Sequence, residues 1–204
     1  MTERTYGGGS APAGLSGWDS ALSAYAAGVT LVTIADGRDD IGTTVSAFCP
    51  VSLDPPLVLI SLLALSYPAE LLSAGSGGAG SGGAGSGGGA PHDGAGAPGT
   101  GGGAAAGRFA VCLLAANQRM LAGRFAASGR PNARRMLDAV PHTRGAVSGA
   151  LIPDGGLAAL ECEVAQRVPA GDHLVLIARV LAVPYLAPSG EPLVRFHGRY
   201  PSLC

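Results

Sequence analysis

The chain has 204 residues, 47% of them hydrophobic and only 13% charged, with a net charge of −1. That length suits one domain and the apolar fraction is enough for a core. The lack of a basic surplus argues against a nucleic-acid partner. The longest apolar run, Leu57 to Leu65, is far shorter than the ~18–20 residues that span a bilayer, and the polar, Gly-rich start has no apolar signal segment, so the expected location is the cytoplasm.

In chain order, residues 1–16 read as a flexible tail. Trp18, Leu22, Tyr25 and Ala26 recur at helical spacing, so a helix is predicted over 17–27, capped by Ser16 or Asp19 and ended by Gly28. Val29 to Ile34 and Ile41 to Phe48 read as strands around an Asp36-Gly37 turn. The second runs into a turn, dense in hydroxyls, that is ended by Pro55-Pro56. Leu57 to Leu63 is a continuously apolar strand, expected to be buried on both faces. A helix begins near Pro68 and Ala69. Residues 75–107 repeat Gly, Ser and Ala, hold about half of the 34 glycines and read as a disordered insertion. Gly75-x-Gly77-x-x-Gly80 within it matches a dinucleotide fingerprint only by repetition, since no strand precedes it and no amphipathic helix follows.

Order resumes with a strand at Phe109–Leu114 and a helix at Asn117–Phe125, with Asn117 as its candidate cap. A short helix follows at Asn132–Ala139. A hairpin pairs Leu157–Val168 with His173–Val183, and a last strand covers Pro192–Phe196. Many strands with no regular βα alternation predict a mainly β fold with helical additions, a barrel rather than a Rossmann sheet. Residues 17–204 then form one domain, interrupted by the insertion. The cysteines Cys49, Cys112, Cys162 and Cys204 form no CxxC pair, no histidine stands at metal-finger spacing, and they read as structural thiols with no metal site.

One block carries chemistry: Gly42-Thr43-Thr44-Val45-Ser46-Ala47-Phe48-Cys49-Pro50-Val51-Ser52-Leu53-Asp54-Pro55-Pro56. Hydroxyls and free N–H groups after a strand can hold a polar ring edge or a phosphate without fixed cations. The same residues also suit an edge strand with turn chemistry. Together with Gly28-Val29-Thr30-Leu31-Val32-Thr33 and Leu57-Val58, the block resembles the flavin reductase-like, FMN-binding split-barrel family. The likeness is to the short reductases that feed two-component monooxygenases. It resumes at Phe109-Ala110-Val111, at Asn117-Gln118 with Leu121 and Phe125, at Leu160-Glu161-Cys162-Glu163 and at Gly171-Asp172-His173.

The resemblance implies a split β-barrel, a homodimer, and hydride transfer from NADH or NADPH to FMN or FAD for a separate monooxygenase. It places Thr44, Val45 and Ser46 along the isoalloxazine ring and Pro50, Val51 and Ser52 along the ribityl chain and phosphate. Ser61 and Ser66 fall on the phosphate side. His173, Arg199 and Tyr200 fall beside the nicotinamide nucleotide. Many members have a small polar residue where Ala47 stands and Asn where Cys112 stands. The segment near Ser66 lacks the Lys or Arg often brought to the phosphate, which leaves Arg119 and Arg124 as candidates. No acid–base dyad is required, because the cofactors perform the hydride transfer. His197 reads as structural or exposed, and no task falls to His92 in the insertion or to His142 in a Pro-flanked loop. Two other readings are a flavin-binding module without turnover and an oxidase with tightly bound FMN. The Gly171-Asp172-His173 turn favours a nicotinamide user.

Overall fold

The computed structural model describes residues 16–37, 39–73, 107–129 and 131–203. Residues 1–15 of the tail and 75–106 of the Gly-rich insertion, with His92, therefore lie outside the described residues, as does Cys204. Strands are β1 (Ala27–Gly28), β2 (Thr30–Ile34), β3 (Ile41–Val45), β4 (Phe48–Leu53), β5 (Pro56–Leu63), β6 (Arg108–Leu113), β7 (His142–Arg144), β8 (Leu151–Pro153), β9 (Ala158–Ala170), β10 (His173–Leu186) and β11 (Val194–Arg195). Helices are α1 (Trp18–Ser23), α2 (Tyr67–Ser73), α3 (Arg119–Ala126) and α4 (Ala133–Leu137).

Seven strands form one antiparallel sheet in the order β3-β2-β6-β9-β10-β5-β4. Its two edges, β3 and β4, are consecutive in the chain and joined only by Ser46 and Ala47. Laid flat, the edges of seven strands would stand roughly 29 Å apart, and three Cα steps reach at most about 11 Å. The sheet must therefore curl round on itself, and the Ala47 carbonyl accepts the Ser61 N–H of β5 at 3.0 Å where it does so. The result is a split β-barrel, as the sequence predicts. Its interior holds Val32, Val45, Ile60, Phe109, Val111 and Leu176, with Leu72 of α2 buried among them.

The outside of β2, β6 and β9 is covered a second time. Leu121 and Phe125 of α3, Met136 and Leu137 of α4, and Leu151 and Ile152 of β8 pack over Leu31, Ala110, Cys112 and Ala159. This double cover is why all five residues of β2 are buried. The buried threonines of β2 are satisfied by carbonyls: Thr30 Oγ1 donates to Val45 O at 2.8 Å and Thr33 Oγ1 to Leu151 O at 2.6 Å. Gly42 is required by close packing, since a Cβ there would stand 2.3 Å from the Phe125 ring.

Several boundaries differ from the sequence reading. α1 ends at Ser23, because Ala27 and Gly28 are drawn into pairing with Arg195 and Val194. Neither Ser16 nor Asp19 caps it; Gly17 holds the cap position at φ 84°, with Ser16 one residue too early and Asp19 already inside the first turn. The last strand shrinks to Val194–Arg195, the length of its partner. Cys49–Ser52 is not a turn but the edge strand β4, paired to β5. β5 is not buried on both faces: Val58, Ile60 and Leu62 point inward, while Leu57, Leu59, Ser61 and Leu63 point away from the interior. Asn117 does not cap α3. Gln118 fastens that end instead, accepting from Ala115 N and donating to Asp154 O. The β7–β8 hairpin was not legible, and it places His142 in a strand rather than a loop.

Candidate functional site

The residues singled out from the sequence divide into four groups in space. Thr44 and Val45 are committed to the scaffold by their side chains. Thr44 Oγ1 donates to Ala122 O of α3 at 2.7 Å, and Val45 is buried in the barrel interior. What β3 can offer a ligand is therefore backbone.

The second group shares the outward face of β4, β5 and β10. Ser52 is paired with Leu57, and Cys49 with Leu59. Ser61 stands opposite Val175, and Leu63 opposite His173. With strands about 4.8 Å apart, Ala47, Ser61 and Val175 sit side by side within about 10 Å, and His173 lies two residues from Val175. Pro50 and Val51 are exposed on the free edge of β4, where a register shift interrupts its pairing with β5. The hydroxyls of Ser52 and Ser61, both half-buried, hold no hydrogen bond among the described residues. They are donors and acceptors that the described scaffold does not use.

His173 opens β10 directly after the hairpin turn, where Gly171 takes φ 62°, the left-handed region that a two-residue hairpin loop asks of its first residue. Its Nδ1 pairs with Asp172 Oδ1 at 2.7 Å. That hydrogen bond holds the Asp172 carboxyl below its ordinary value. The pairing fixes the ring, so Nε2 is the atom left to meet a ligand.

Ser66 heads α2 rather than facing the sheet: its hydroxyl accepts from Ala69 N at 3.4 Å and its carbonyl from Glu70 N at 3.0 Å. This is a third setting, separate from Ser52 and Ser61. The fourth lies at the C-terminal arm. Arg199 is exposed in the turn closed by the Phe196–Arg199 bridge. Tyr200 packs on the outer core and lies under the Arg119 guanidinium, 5.7 Å from its ring centre. Arg119 is thus drawn to the arm. Arg124 lines a separate open groove of about 390 Å³ with Met120, Asn117 and Asp154.

Three features escaped the sequence reading. Ser46 shares a narrow cleft with Tyr25 at the end of α1 and Arg195 of β11. Asp40, buried at φ 43°, receives both Arg134 at 3.1 Å and Arg144 at 2.9 Å. Burial pushes its carboxyl up, but the hydrogen bonds and charges of Arg144 and Arg134 outweigh that and hold it below the usual carboxylate range. Glu161, also buried, accepts Val147 N–H, Ser148 N–H and the Ser148 hydroxyl, pinning the β7–β8 loop. Of the cysteines, Cys112 and Cys162 are buried, which pushes both thiols up to about 12 and makes them inert, while Cys49 is exposed on β4.

A curled antiparallel sheet, split between two consecutive edge strands with hydroxyls and open strand edge beside the split, is the architecture of the split-barrel flavin-binding fold. The chain belongs to the flavin reductase-like family: the family model described as "Flavin reductase like domain" matches residues 22–79 and 103–203. It is 34% identical over 174 residues to an FMN reductase (NADH) of Agrobacterium fabrum, covering 85% of this chain and 78% of that protein. It is 32% identical over 180 residues to the reductase component of 4-hydroxyphenylacetate 3-monooxygenase from Thermus thermophilus, covering 88% of this chain and 91% of that one. The solved structure of the NADH:FAD oxidoreductase of Streptomyces globisporus, in complex with NAD and FAD fragments, superposes with a TM-score of 0.69 at 27% identity, over 90% of this chain and 89% of that chain.

Proposed function

We propose that the protein is an NAD(P)H-dependent flavin reductase that reduces FMN or FAD and passes the reduced flavin to a separate monooxygenase. The observation that carries this reading is the juxtaposition of the split, with the Ser46–Ala47 joint, Ser61 and His173 on neighbouring strands. The reductase relatives support the activity, and the Thermus protein's place in a two-component system supports the partner.

Bound flavin supplies an N5 that accepts hydride from the nicotinamide C4. The chain's own part is to bind and orient. Ser46 and the backbone of β3 border the ring. Pro50, Val51 and Ser52 on the edge of β4 follow the ribityl chain and phosphate, with Ser61 and Ser66 on the phosphate side. The imidazole of His173, held by Asp172, packs against the nicotinamide, and Arg199 and Tyr200 flank the nucleotide. Reacting atoms must approach to about 3–3.5 Å, so the fixed ring of His173 matters more than its basicity.

The outward face of β5 and β10 carries Leu57, Leu59, Leu63, Val175 and Ile177 beside these polar groups. A second copy of the chain covers this apolar face, giving a homodimer with the flavin at its border. The family match leaves out residues 80–102. No helix of the described residues is long and apolar enough to cross a membrane, and the protein works in the cytoplasm.

Steady-state oxidation of NADH and of NADPH, with FMN, FAD and riboflavin supplied separately, tests the function. Turnover that depends on added flavin supports a reductase with diffusible flavin. Protein that purifies coloured and reacts with a small substrate without NAD(P)H would point to an oxidase instead.

A further inference from the structure

The two arginines that the sequence offers for a flavin phosphate stand elsewhere, Arg119 at the C-terminal arm and Arg124 in a groove beside α3. A third arginine lies in β10. Leu176 and Ala178 are buried in the barrel interior, so alternation puts Arg179 on the outward face, where it is exposed. Register aligns it in one row across five strands: Arg108 with Glu163, Glu163 with Arg179, Arg179 with Leu57, and Leu57 with Ser52. The row carries two guanidiniums and one carboxylate. Arg108 Nε takes that carboxylate, donating to Glu163 Oε1 at 2.9 Å, and Arg108 Nη1 donates to Val147 O at 3.3 Å. Arg179 makes no hydrogen bond or ion pair among the described residues, neither with Glu163 nor with Asp54 of the β4–β5 turn. One positive charge is therefore left over toward the end of the row that holds Ser52, whose hydroxyl is also unused. Arg179–Leu57 is the last aligned pair of β10 with β5, so both groups stand at the border of the apolar face and not within it.

Resting on the flavin reading of β4, we propose that Arg179 is a specificity-determining residue for phosphorylated flavins. With Ser52 it binds the ribityl phosphate of FMN, or the same phosphate within FAD, above Leu57. Neighbouring strands are about 4.8 Å apart, so Ser52 and Arg179 flank Leu57 with roughly 10 Å between their Cα atoms. An arginine stem can lie along an apolar side chain while its head stays in water. The planar guanidinium presents paired N–H donors that match two phosphate oxygens, and a serine hydroxyl donates to a third. Neither group has a protein partner to give up, so the contact is not offset by a broken bond. Riboflavin ends in a hydroxyl and brings no anion to the row.

The test is binding, measured apart from turnover. Dissociation constants of oxidised riboflavin, FMN and FAD are titrated by flavin fluorescence for the wild type, Arg179→Gln, Arg179→Lys, Ser52→Ala and the double variant Arg179→Gln with Ser52→Ala. Arg179→Gln is expected to weaken FMN and FAD about tenfold or more, with riboflavin nearly unchanged. Arg179→Lys is expected to recover part of the loss, as a point charge without the fork. The double variant should lose less than the sum of the two single effects, because both groups hold one phosphate. Inorganic phosphate should compete with FMN on the wild type and no longer do so on Arg179→Gln. An FMN-to-riboflavin affinity ratio that Arg179→Gln leaves unchanged overturns the proposal. Equal weakening of both flavins overturns it too, and makes Arg179 a contact to a second copy instead. If Ser52→Ala also changes none of the constants, the flavin reading of β4 falls as well. If Ser52→Ala weakens FMN while Arg179→Gln leaves the ratio intact, only the role of Arg179 falls.

Discussion

The two outer walls of the barrel are built to different ends. Outside β2, β6 and β9 the chain lays α3, α4 and the β7–β8 hairpin, and buried threonines, Asp40 and Glu161 are each matched to partners. Outside β4, β5 and β10 it lays nothing among the described residues, and leaves half-buried serine hydroxyls beside Leu57, Leu59 and Ile177. One wall is sealed by the chain itself; the other, in the function proposed above, takes a ligand and a second copy. Substitutions on the sealed wall should be read out as stability, and substitutions on the open wall as binding.

The largest effect belongs to the sealed wall. Phe125→Ala removes a fully buried ring from the α3–β2 interface and is expected to cost about 3–5 kcal/mol in chemical denaturation. A cost below ~1 kcal/mol would show that α3 is not part of the cooperative core. Next is Asp40→Asn, which leaves Arg134 and Arg144 without their carboxylate. Both guanidiniums are about half exposed and water takes over part of the loss, so about 2 kcal/mol is expected. The pH dependence has a definite sign. A carboxyl held below its unfolded value of 3.8 contributes stability that is fully present above that pH. The contribution is lost as pH falls through the lower folded value. The difference in melting temperature between wild type and Asp40→Asn should therefore narrow only below about pH 4, and a gap that narrows between pH 5 and 8 would assign it to another group.

On the open wall the expectation reverses. His173→Ala should lower kcat/KM for NAD(P)H roughly 5- to 150-fold by loss of one positioned contact, while the flavin dissociation constant and the melting temperature hardly move. Stopped-flow hydride transfer paired with fluorescence titration separates the two. Normal transfer would leave His173 as no more than the partner of Asp172 in its turn. The smallest effect is Ser52→Ala, a half-buried hydroxyl with no protein hydrogen bond to lose. Flavin KM should rise a few-fold, with stability unchanged within about 0.5 kcal/mol. A stability loss with no change in KM would move Ser52 from the ligand's side of the comparison to the scaffold's.

The local pattern was enough for the order and kind of most elements. β-branched runs, the Asp36-Gly37 turn and the Gly171-Asp172 loop are governed by steric rules acting over a few residues. The spaced pieces from Gly28 to Val58 were enough for the family, because their order and spacing carry the joint at which the barrel splits. Boundaries slipped where a distant partner sets the length: Ala27 and Gly28 became a strand only because Val194 and Arg195 arrive beside them. Cys49–Ser52 reads as a turn until β5 supplies its ladder.

The sequence alone, then, determined a mainly β split barrel of the flavin reductase-like family, since strand patterning and a short spaced motif are local. Tertiary structure alone decided where each hydroxyl sits. Thr44 and Ser46 look alike in the chain, yet α3 takes the hydroxyl of the first through Ala122 while the second lines a cleft. It also decided that Arg195, from the far end of the chain, stands at that cleft. Burial and hydrogen-bond partners are properties of what packs against a residue, and closure of the sheet brings those neighbours from positions that local patterning does not connect.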